Sequence, residues 1–213
     1  MTHRAFDSIE LGITQAEGVT PAPSTVAKAE IRPAGGQDIP GISEVLASSF
    51  YDPIRWAGLV YPLVKLGIQA DLQSRIQSSR LNYICLAALV SPPSTGLPTK
   101  PTIAGTVELS QRHPWPWQTL EAPYGYVANL AVGYRFRRQG IGRNLLAVCE
   151  TIAQGWQMGH LYLHVMENNR QARQLYSRAG FQLLEAEPRL APWPGCQPRR
   201  LLMRKVLDGG LKP

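Results

Sequence analysis

Cysteine is scarce in this chain, which has Cys85, Cys149 and Cys196 among its 213 residues. Their spacing fits no zinc-binding motif, and an odd number of cysteines cannot be fully paired. Cys85 and Cys149 stand within apolar runs, as buried core cysteines usually do. We therefore expect no metal site and no disulfide framework, and we expect a protein of a reducing compartment.

Long hydrophobic runs are also missing, since no segment approaches the roughly 18 apolar residues of a membrane span. The N-terminus lacks the order of basic and then apolar residues that marks a secretory signal. Asp7, Glu10 and Glu17 argue against an organelle transit peptide. These observations predict a cytoplasmic protein without a membrane partner.

Acidic residues are outnumbered, with 15 Asp and Glu against 22 Lys and Arg and a net charge of +7. The arginines gather at one turn, residues 135–143, and near the C-terminus. A nucleic-acid-binding protein usually presents one basic face interleaved with aromatic side chains, whereas these arginines gather at two separate places. The charge fits a polyanionic ligand better, and we expect no nucleic-acid partner.

The length suits one domain with tails. Residues 1–28 are polar and without a sustained period, which predicts a mobile N-terminal extension. Residues 29–207 alternate between strand-like and helix-like apolar patterns, which predicts one α/β domain. Residues 208–213 contain Gly209-Gly210 and are predicted to be a tail.

The most informative stretch joins a strand to a helix. The apolar run Tyr126–Val132 predicts a buried strand, and residues 141–158 carry one apolar helical face. The turn between them contains Gly140 and Gly142, which let the backbone come close to a ligand. Unpaired N–H groups in the first helical turn and several arginines suit a pyrophosphate there. These cations are Arg135, Arg137, Arg138 and Arg143.

Two other kinds of phosphate-binding loop do not fit this turn. The dinucleotide fingerprint requires a third glycine where the chain has Leu145, and the acid near the required distance is Glu167. The ATP-binding P-loop requires Gly-Lys-Ser/Thr, which the sequence lacks. The remaining pattern is Arg/Gln-x-x-Gly-x-Gly/Ala after an apolar strand.

A second block follows at Leu161–Asn169 and continues with Ala172, Leu175-Tyr176 and Gly180-Phe181. With both blocks in this order, the chain resembles the GNAT superfamily of acetyl-CoA-dependent N-acetyltransferases. The resemblance extends over residues 29–207 but is specific in its motifs only for residues 126–181. It implies the GNAT fold, a mixed and centrally splayed sheet of about seven strands with about four helices.

The resemblance also implies how acetyl-CoA is bound as co-substrate. The N–H groups of Leu130, Ala131 and Val132 would bind the pantetheine arm and the thioester carbonyl oxygen. Asn169 and Ala172 would touch the pantetheine from the other side. The residues that would bind the pyrophosphate are Arg137, Arg138, Gln139, Gly140, Ile141, Gly142, Arg143 and Asn144.

Tyr176 stands where the family commonly places its general acid, near the sulfur of coenzyme A, and so belongs to the cofactor site as well. A phenol has a reference pKa near 10, so it is protonated at neutral pH and can donate to a thiolate. The alternative is a core tyrosine with a packing role only.

His164, in Leu163-His164-Val165, is the candidate general base. Many family members resemble Leu-Glu-Val-Arg here. One branch of N-terminal acetyltransferases has Leu-His-Val, together with a tyrosine in the position of Tyr126. The resemblance implies that this pair deprotonates the acceptor amine through water. Tyr124 and Glu108 are reserve candidates for the base. A lone strand histidine is otherwise usually structural.

The predicted function is acetyl transfer to a protein amine, either an N-terminal α-amine or a lysine. The chain is similar to GNAT proteins of plastid and cyanobacterial type, in which both acceptors can be served by one enzyme. The alternatives are a small-molecule amine acetyltransferase and a non-catalytic acetyl-CoA-binding module. Four aromatic residues are candidates for the wall of an acceptor groove or for core packing. They are Phe50, Tyr51, Trp56 and Tyr61.

Overall fold

The computed structural model describes residues 29–50, 60–77, 82–91, 100–113, 123–187 and 198–207. The strands are β1 (Glu30–Pro33), β2 (Tyr83–Val90), β3 (Thr102–Arg112), β4 (Tyr124–Val132), β5 (His160–Met166), β6 (Gln182–Ala186) and β7 (Arg200–Val206). The helices are α1 (Ile39–Phe50), α2 (Val60–Gln77), α3 (Ile141–Gly155) and α4 (Arg170–Arg178). These elements confirm the predicted α/β class. The division into an extension, a domain and a tail stays a prediction, because residues 1–28 and 208–213 lie outside the described part.

All seven strands form one sheet in the order β1-β2-β3-β4-β5-β7-β6. Strands β4 and β5 pair in parallel, and every other neighbouring pair is antiparallel. The prediction of a mixed sheet is therefore confirmed. The single parallel pair lies near the middle of the sheet, where a helical crossover through α3 joins its two strands.

Helix α3 covers one face of the sheet with the apolar stripe that the sequence predicts. Its buried residues are Ile141, Leu145, Leu146, Cys149 and Ala153. They pack against Val107, Leu109 and Val127 of the central strands and against Leu161 and Leu163 of β5. Because this stripe runs the length of α3, packing fixes where the helix begins over the sheet, and with it the turn at Gly140.

Helices α1 and α2 cover the opposite face. Ile42 and Leu46 of α1 and Leu72 of α2 pack on Cys85 and Ala87 of β2. Buried positions for both Cys85 and Cys149 confirm the prediction that they are core residues. None of the helices in the described part of the chain has the length and apolar character needed to cross a membrane.

Two details of the helices have a local physical cause. Helix α2 runs unbroken through Gly67, because a single glycine costs a helix only about 1 kcal/mol. Asp38 directly precedes α1 and lies in the 3-10 turn Gly36–Asp38. Its carboxylate accepts from the Arg32 guanidinium at 2.7 and 2.9 Å and from the Gly35 N–H at 2.8 Å. The stronger charged partner takes the side chain away from the helix end.

Candidate active site

Strands β4 and β5 separate soon after they meet. Their pairing consists of Gly125 with Leu161 and Tyr126 with Tyr162. Further along, β4 stays on β3, where Ala131 is opposite Thr106. The edge of β4 that faces β5 therefore carries no ladder bond beyond Tyr126 within the described residues. This is the predicted central splay, and it leaves an opening beside Leu130–Val132 in which an extended arm could form main-chain hydrogen bonds.

The turn before α3 has the open backbone that its glycines suggest. Gly140 precedes the helix with φ +82°, and a Cβ atom there would meet no heavy atom within 4 Å. The first helical bond runs from the Asn144 N–H to the Gly140 carbonyl at 3.0 Å. The N–H groups of residues 141–143 precede that bond and point out of the helix end. A Cβ atom on Gly142 would lie 3.1 Å from Cδ2 of Leu175, so α4 approaches α3 closely at this point.

The arginines of this turn differ in what they do. Arg137 donates from Nε to the Val132 carbonyl at 3.0 Å, and so ties the turn to the end of β4. Arg135, Arg138 and Arg143 are exposed beside the helix end. Positive side chains and outward N–H groups on one surface are the features that attract an anion, and the diphosphate site at residues 137–144 stays a prediction.

We expect Gly140→Ala to weaken coenzyme A binding, and Gly155→Ala on the same helix to leave it unchanged. Both positions have open space for a methyl group, but only Gly140 has a positive φ. The alanine at 140 costs roughly 1–2 kcal/mol of backbone strain, which the turn relieves by moving. The alanine at 155 stabilises the helix by up to about 1 kcal/mol. Calorimetric titration with coenzyme A and thermal melts check both effects. Equal affinities in the two variants would contradict the phosphate-site assignment.

Tyr176 lies on α4, which Asn169 caps by accepting from the Ala172 N–H at 3.1 Å. Gly180 follows the helix with φ +89°, a left-handed helix end that glycine adopts without strain. The Tyr176 ring is 7% exposed and packs edge-on against Phe181. Burial, with a smaller effect from Tyr126, raises the pKa of Tyr176 to about 12, so its phenol keeps its proton at neutral pH.

Tyr126 and His164 are brought together by the parallel pair. The Tyr126 hydroxyl of β4 lies at a hydrogen-bond distance of 2.7 Å from Nδ1 of His164 of β5, although the two residues are 38 positions apart in the sequence. Nε2 of His164 lies 3.7 Å from Oε1 of Glu187. With the proton on Nε2, facing this carboxylate, Nδ1 accepts from the Tyr126 hydroxyl. The two predicted partners therefore form one hydrogen-bonded unit.

The surroundings of His164 favour its neutral form. Burial is the largest cause that lowers the pKa of His164, and the positive charge of Arg200 adds to it, while Glu187 opposes both. Glu187 is itself 3.4 Å from the Arg200 guanidinium. His164 is therefore neutral at pH 7 and able to accept a proton.

Arg112 and the partners of Glu108 are features that the sequence analysis missed. The Arg112 guanidinium lies 3.5 Å from the centre of the Tyr126 ring. Glu108 is 3% exposed and bound to Arg75 at 2.6 Å, so this reserve candidate for the base is a structural carboxylate. The alternation of β3 places 108, 110 and 112 on one face, but only tertiary pairing shows what lies opposite.

The Arg75 guanidinium contacts two carboxylates, Glu108 inside the protein and Asp71 on the surface of α2. We expect Arg75→Met to lower the free energy of unfolding by about 3–5 kcal/mol, because it leaves the Glu108 charge buried without its cation. Asp71→Asn removes the exposed partner of the same guanidinium and should cost less than about 1 kcal/mol. Urea denaturation of the two variants measures the difference. A small loss in both would show that Glu108 does not depend on Arg75.

Of the four aromatic candidates for an acceptor wall, two lie in the described residues. Phe50 is 55% exposed at the end of α1. The Tyr61 hydroxyl lies 3.3 Å from Oε1 of Glu44. Tyr51 and Trp56 lie outside the described residues. The groove hypothesis for these residues stays a prediction.

Comparison with known proteins gives a consistent result. A family model described as the acetyltransferase (GNAT) family matches residues 73–181. GCN5-related N-acetyltransferase 6, chloroplastic, of Arabidopsis thaliana is 42% identical over 62 residues, which are 29% of this chain and 22% of the relative. GCN5-related N-acetyltransferase 10, chloroplastic, of the same plant is 37% identical over 83 residues, 38% of this chain and 32% of the relative. The matched segments thus span less than a third of these relatives.

Solved structures share the fold over most of the chain. Arabidopsis thaliana NAA60 in complex with a bisubstrate analogue has a TM-score of 0.64 at 17% identity, covering 85% of this chain and 100% of that one. The ribosomal-protein-S18-alanine N-acetyltransferase from Escherichia coli has a TM-score of 0.58 at 17% identity, covering 87% and 97%. At this identity the likeness is one of fold, and it confirms the predicted GNAT fold.

The prediction of a cytoplasmic protein is wrong. Four curated relatives are all named chloroplastic proteins, which points to a plastid. The cysteine pattern indicates a reducing environment only, and such an environment is not unique to one compartment. The three acidic residues near the N-terminus were therefore a poor guide to location.

Proposed function

The chain belongs to the GNAT family of acetyltransferases, and from this premise we propose that it transfers an acetyl group from acetyl-CoA to the α-amine of protein chains, with lysine side chains as slower acceptors. One observation carries the proposal above the others. The Tyr126–His164 pair is a neutral proton acceptor beside the opening between β4 and β5.

The residues around the opening fit acetyl-CoA. The outward N–H groups after Gly140 and the exposed arginines suit its diphosphate, and the unpaired edge at Leu130–Val132 suits the amide-bearing pantetheine arm. Acetyl-CoA supplies the activated acetyl group as a thioester. The residues of this chain bind it, orient its carbonyl and handle two protons.

The first proton comes from the acceptor. An amine must lose its ammonium proton before its nitrogen can attack, and the Tyr126–His164 unit takes this proton through a water molecule or through the Tyr126 hydroxyl. In the second route the phenol gives its proton to Nδ1 of His164 as it receives the new one. No enzyme nucleophile is required, because the free amine attacks the thioester carbon directly.

The second proton goes to the leaving group. The new carbon–nitrogen bond forms as the carbon–sulfur bond breaks, and the electron pair of that bond stays on sulfur. Tyr176 donates its hydroxyl proton to this thiolate and recovers a proton from solvent afterwards. N–H groups at Leu130–Val132 stabilise the negative charge that develops on the carbonyl oxygen.

The electrostatics favour an α-amine over other amines. At pH 7 about a tenth of α-amines are neutral, against roughly four in ten thousand lysine side chains, from their reference pKa values. A histidine with a lowered pKa is a weak base and therefore suits the more acidic amine. Arg112 and Arg200 lie beside the pair, and their positive charges would repel a polyamine.

The proposal is tested with acetyl-CoA and four acceptors at equal concentration. The acceptors are a peptide with only an α-amine, its N-blocked counterpart with one lysine, spermidine and an aminoglycoside. Release of free coenzyme A should be fastest with the α-amine peptide and slower with lysine. Turnover of spermidine or the aminoglycoside alone would overturn the protein-acceptor proposal. Tight acetyl-CoA binding without turnover of any amine would favour a binding module.

A further inference from the structure

A buried polar network joins α2, β2, β3 and β4 through Glu108. Oε2 of Glu108 accepts from Arg75 Nη1 at 2.6 Å and from the Tyr83 hydroxyl at 3.0 Å. Oε1 accepts from Nδ2 of Asn129 at 2.7 Å. Both oxygens of the carboxylate are thus engaged, and Glu108 is 3% exposed. Hydrogen bonds of this kind to a buried charge are strong and directional, so they hold the Asn129 side chain in place.

Asn129 occupies an irregular position in β4. Its φ is +51°, a left-handed conformation that asparagine adopts more readily than most residues. The pairing of β3 with β4 changes register there, since Glu108 is opposite Ala128 and Thr106 is opposite Ala131. One residue of β3 therefore faces two residues of β4, which is a β-bulge.

The bulge lies between the proton-accepting Tyr126 and the segment Leu130–Val132, whose N–H groups are proposed to bind the thioester. Tyr126, the last residue of β4 that pairs with β5, precedes it by three positions, and Leu130–Val132 follow it directly. A bulge turns the strand and changes the direction of the N–H groups after it. The direction of those N–H groups thus depends on the backbone conformation of Asn129.

We propose that Asn129, held by Glu108, is a positioning residue that aims the N–H groups of Leu130–Val132 at the thioester carbonyl of acetyl-CoA. This inference rests on the proposed function. It assigns to Glu108 a role in acetyl transfer that is neither base nor acid. It also connects the site to α2, because Arg75 compensates the charge of Glu108.

The test uses three variants and one control. Asn129→Asp keeps a residue that tolerates the left-handed conformation but removes the donor and sets a carboxylate against Glu108. Asn129→Gly keeps the conformational freedom without the hydrogen bond, and Asn129→Ala lacks both. The control, Ser110→Ala, removes a hydroxyl from the wall of a cavity of about 250 Å³ that Glu108 also lines, and it leaves the bulge residues unchanged.

The direct readout is the ratio of acetyl-CoA affinity to coenzyme A affinity, measured by calorimetry. Only acetyl-CoA has the thioester carbonyl, so one well-aimed hydrogen bond to that oxygen favours acetyl-CoA over coenzyme A by about two- to tenfold. We expect the wild type and Ser110→Ala to show this preference and all three Asn129 variants to lose it. Coenzyme A affinity should change less than about threefold, because the diphosphate site is separate. A second readout is kcat, which should fall at least about tenfold in the Asn129 variants.

Each outcome decides the inference. The inference would be overturned if the wild-type protein bound acetyl-CoA and coenzyme A with equal affinity. It would also be overturned if Asn129→Gly kept the acetyl-CoA preference of the wild type, since the side chain would then have no aiming role. Loss of the ratio in Asn129→Gly with a wild-type melting temperature would support it even if Asn129→Ala unfolds. The affinity ratio needs no acceptor, so a failure of the proposed function, seen as no turnover in the wild type, is distinguishable from a failure of this inference.

Discussion

Tyr176→Phe should lower kcat by at least about a hundredfold while acetyl-CoA affinity stays within about threefold of wild type. The substitution removes one hydroxyl and keeps the ring that packs against Phe181. Because the pKa of Tyr176 is raised to about 12, the phenol holds at neutral pH the proton that it would give to the thiolate. Without it the thiolate must leave unprotonated or take its proton from water. Steady-state kinetics with a peptide acceptor and calorimetry with acetyl-CoA measure the two quantities.

The matched control is Tyr134→Phe, which removes a hydroxyl from an 85% exposed ring near the glycine turn. It should leave both quantities unchanged. If Tyr176→Phe had the kcat of the wild type, Tyr176 would only pack in the core, which is the alternative role that the sequence allows. A parallel loss of kcat and of melting temperature would also point to packing rather than to proton donation.

His164→Ala should reduce kcat at pH 7 by about a hundredfold and change its pH profile. A base works in its neutral form, so wild-type activity falls only as pH drops through the pKa of His164. Burial and Arg200 hold that pKa below its usual 6.5, and the acid limb of the kcat profile should therefore lie below pH 6.5. In the alanine variant the amine must lose its proton unaided. The acid limb then moves up toward the reference pKa of an α-amine, about 7.7–8.0.

His160→Ala is the control for that experiment. His160 stands on the same strand, and burial also lowers its pKa. It is not bonded to Tyr126, whose hydroxyl is 2.7 Å from His164. The pH profile of this variant should match the wild type. A profile in His164→Ala that stays at its wild-type position would assign the proton transfer to another group.

The parts of the fold that depend on local pattern could be predicted from the sequence. The apolar stripe of α3 and the glycine turn before it are encoded within about 30 consecutive residues, so spacing alone locates them. The Gly180 helix end is equally local, since one glycine supplies the positive φ. The Tyr126–His164 pair came from the family resemblance, because nothing in the spacing of 38 residues implies contact.

The polar network could not be predicted for a physical reason. Glu108 lies 33 residues from Arg75 and 21 from Asn129, and only the register of three strands and the packing of α2 bring them together. One signal was present. Asparagine is depleted in strands and favours a left-handed backbone, so Asn129 within an apolar strand pattern indicates a bulge. Its partner across the sheet requires the tertiary structure.

The central claim is acetyl transfer to a protein α-amine by the Tyr126–His164 site, and one measurement tests it most directly. A peptide with a free N-terminus and one internal lysine is incubated with acetyl-CoA bearing a ¹³C-labelled acetyl group, and fragmentation mass spectrometry locates the label. We expect the label first on the α-amine, later and more slowly on the lysine, and at a greatly reduced rate on both in His164→Ala. Label on the lysine alone, or equal labelling by wild type and His164→Ala, would contradict the account.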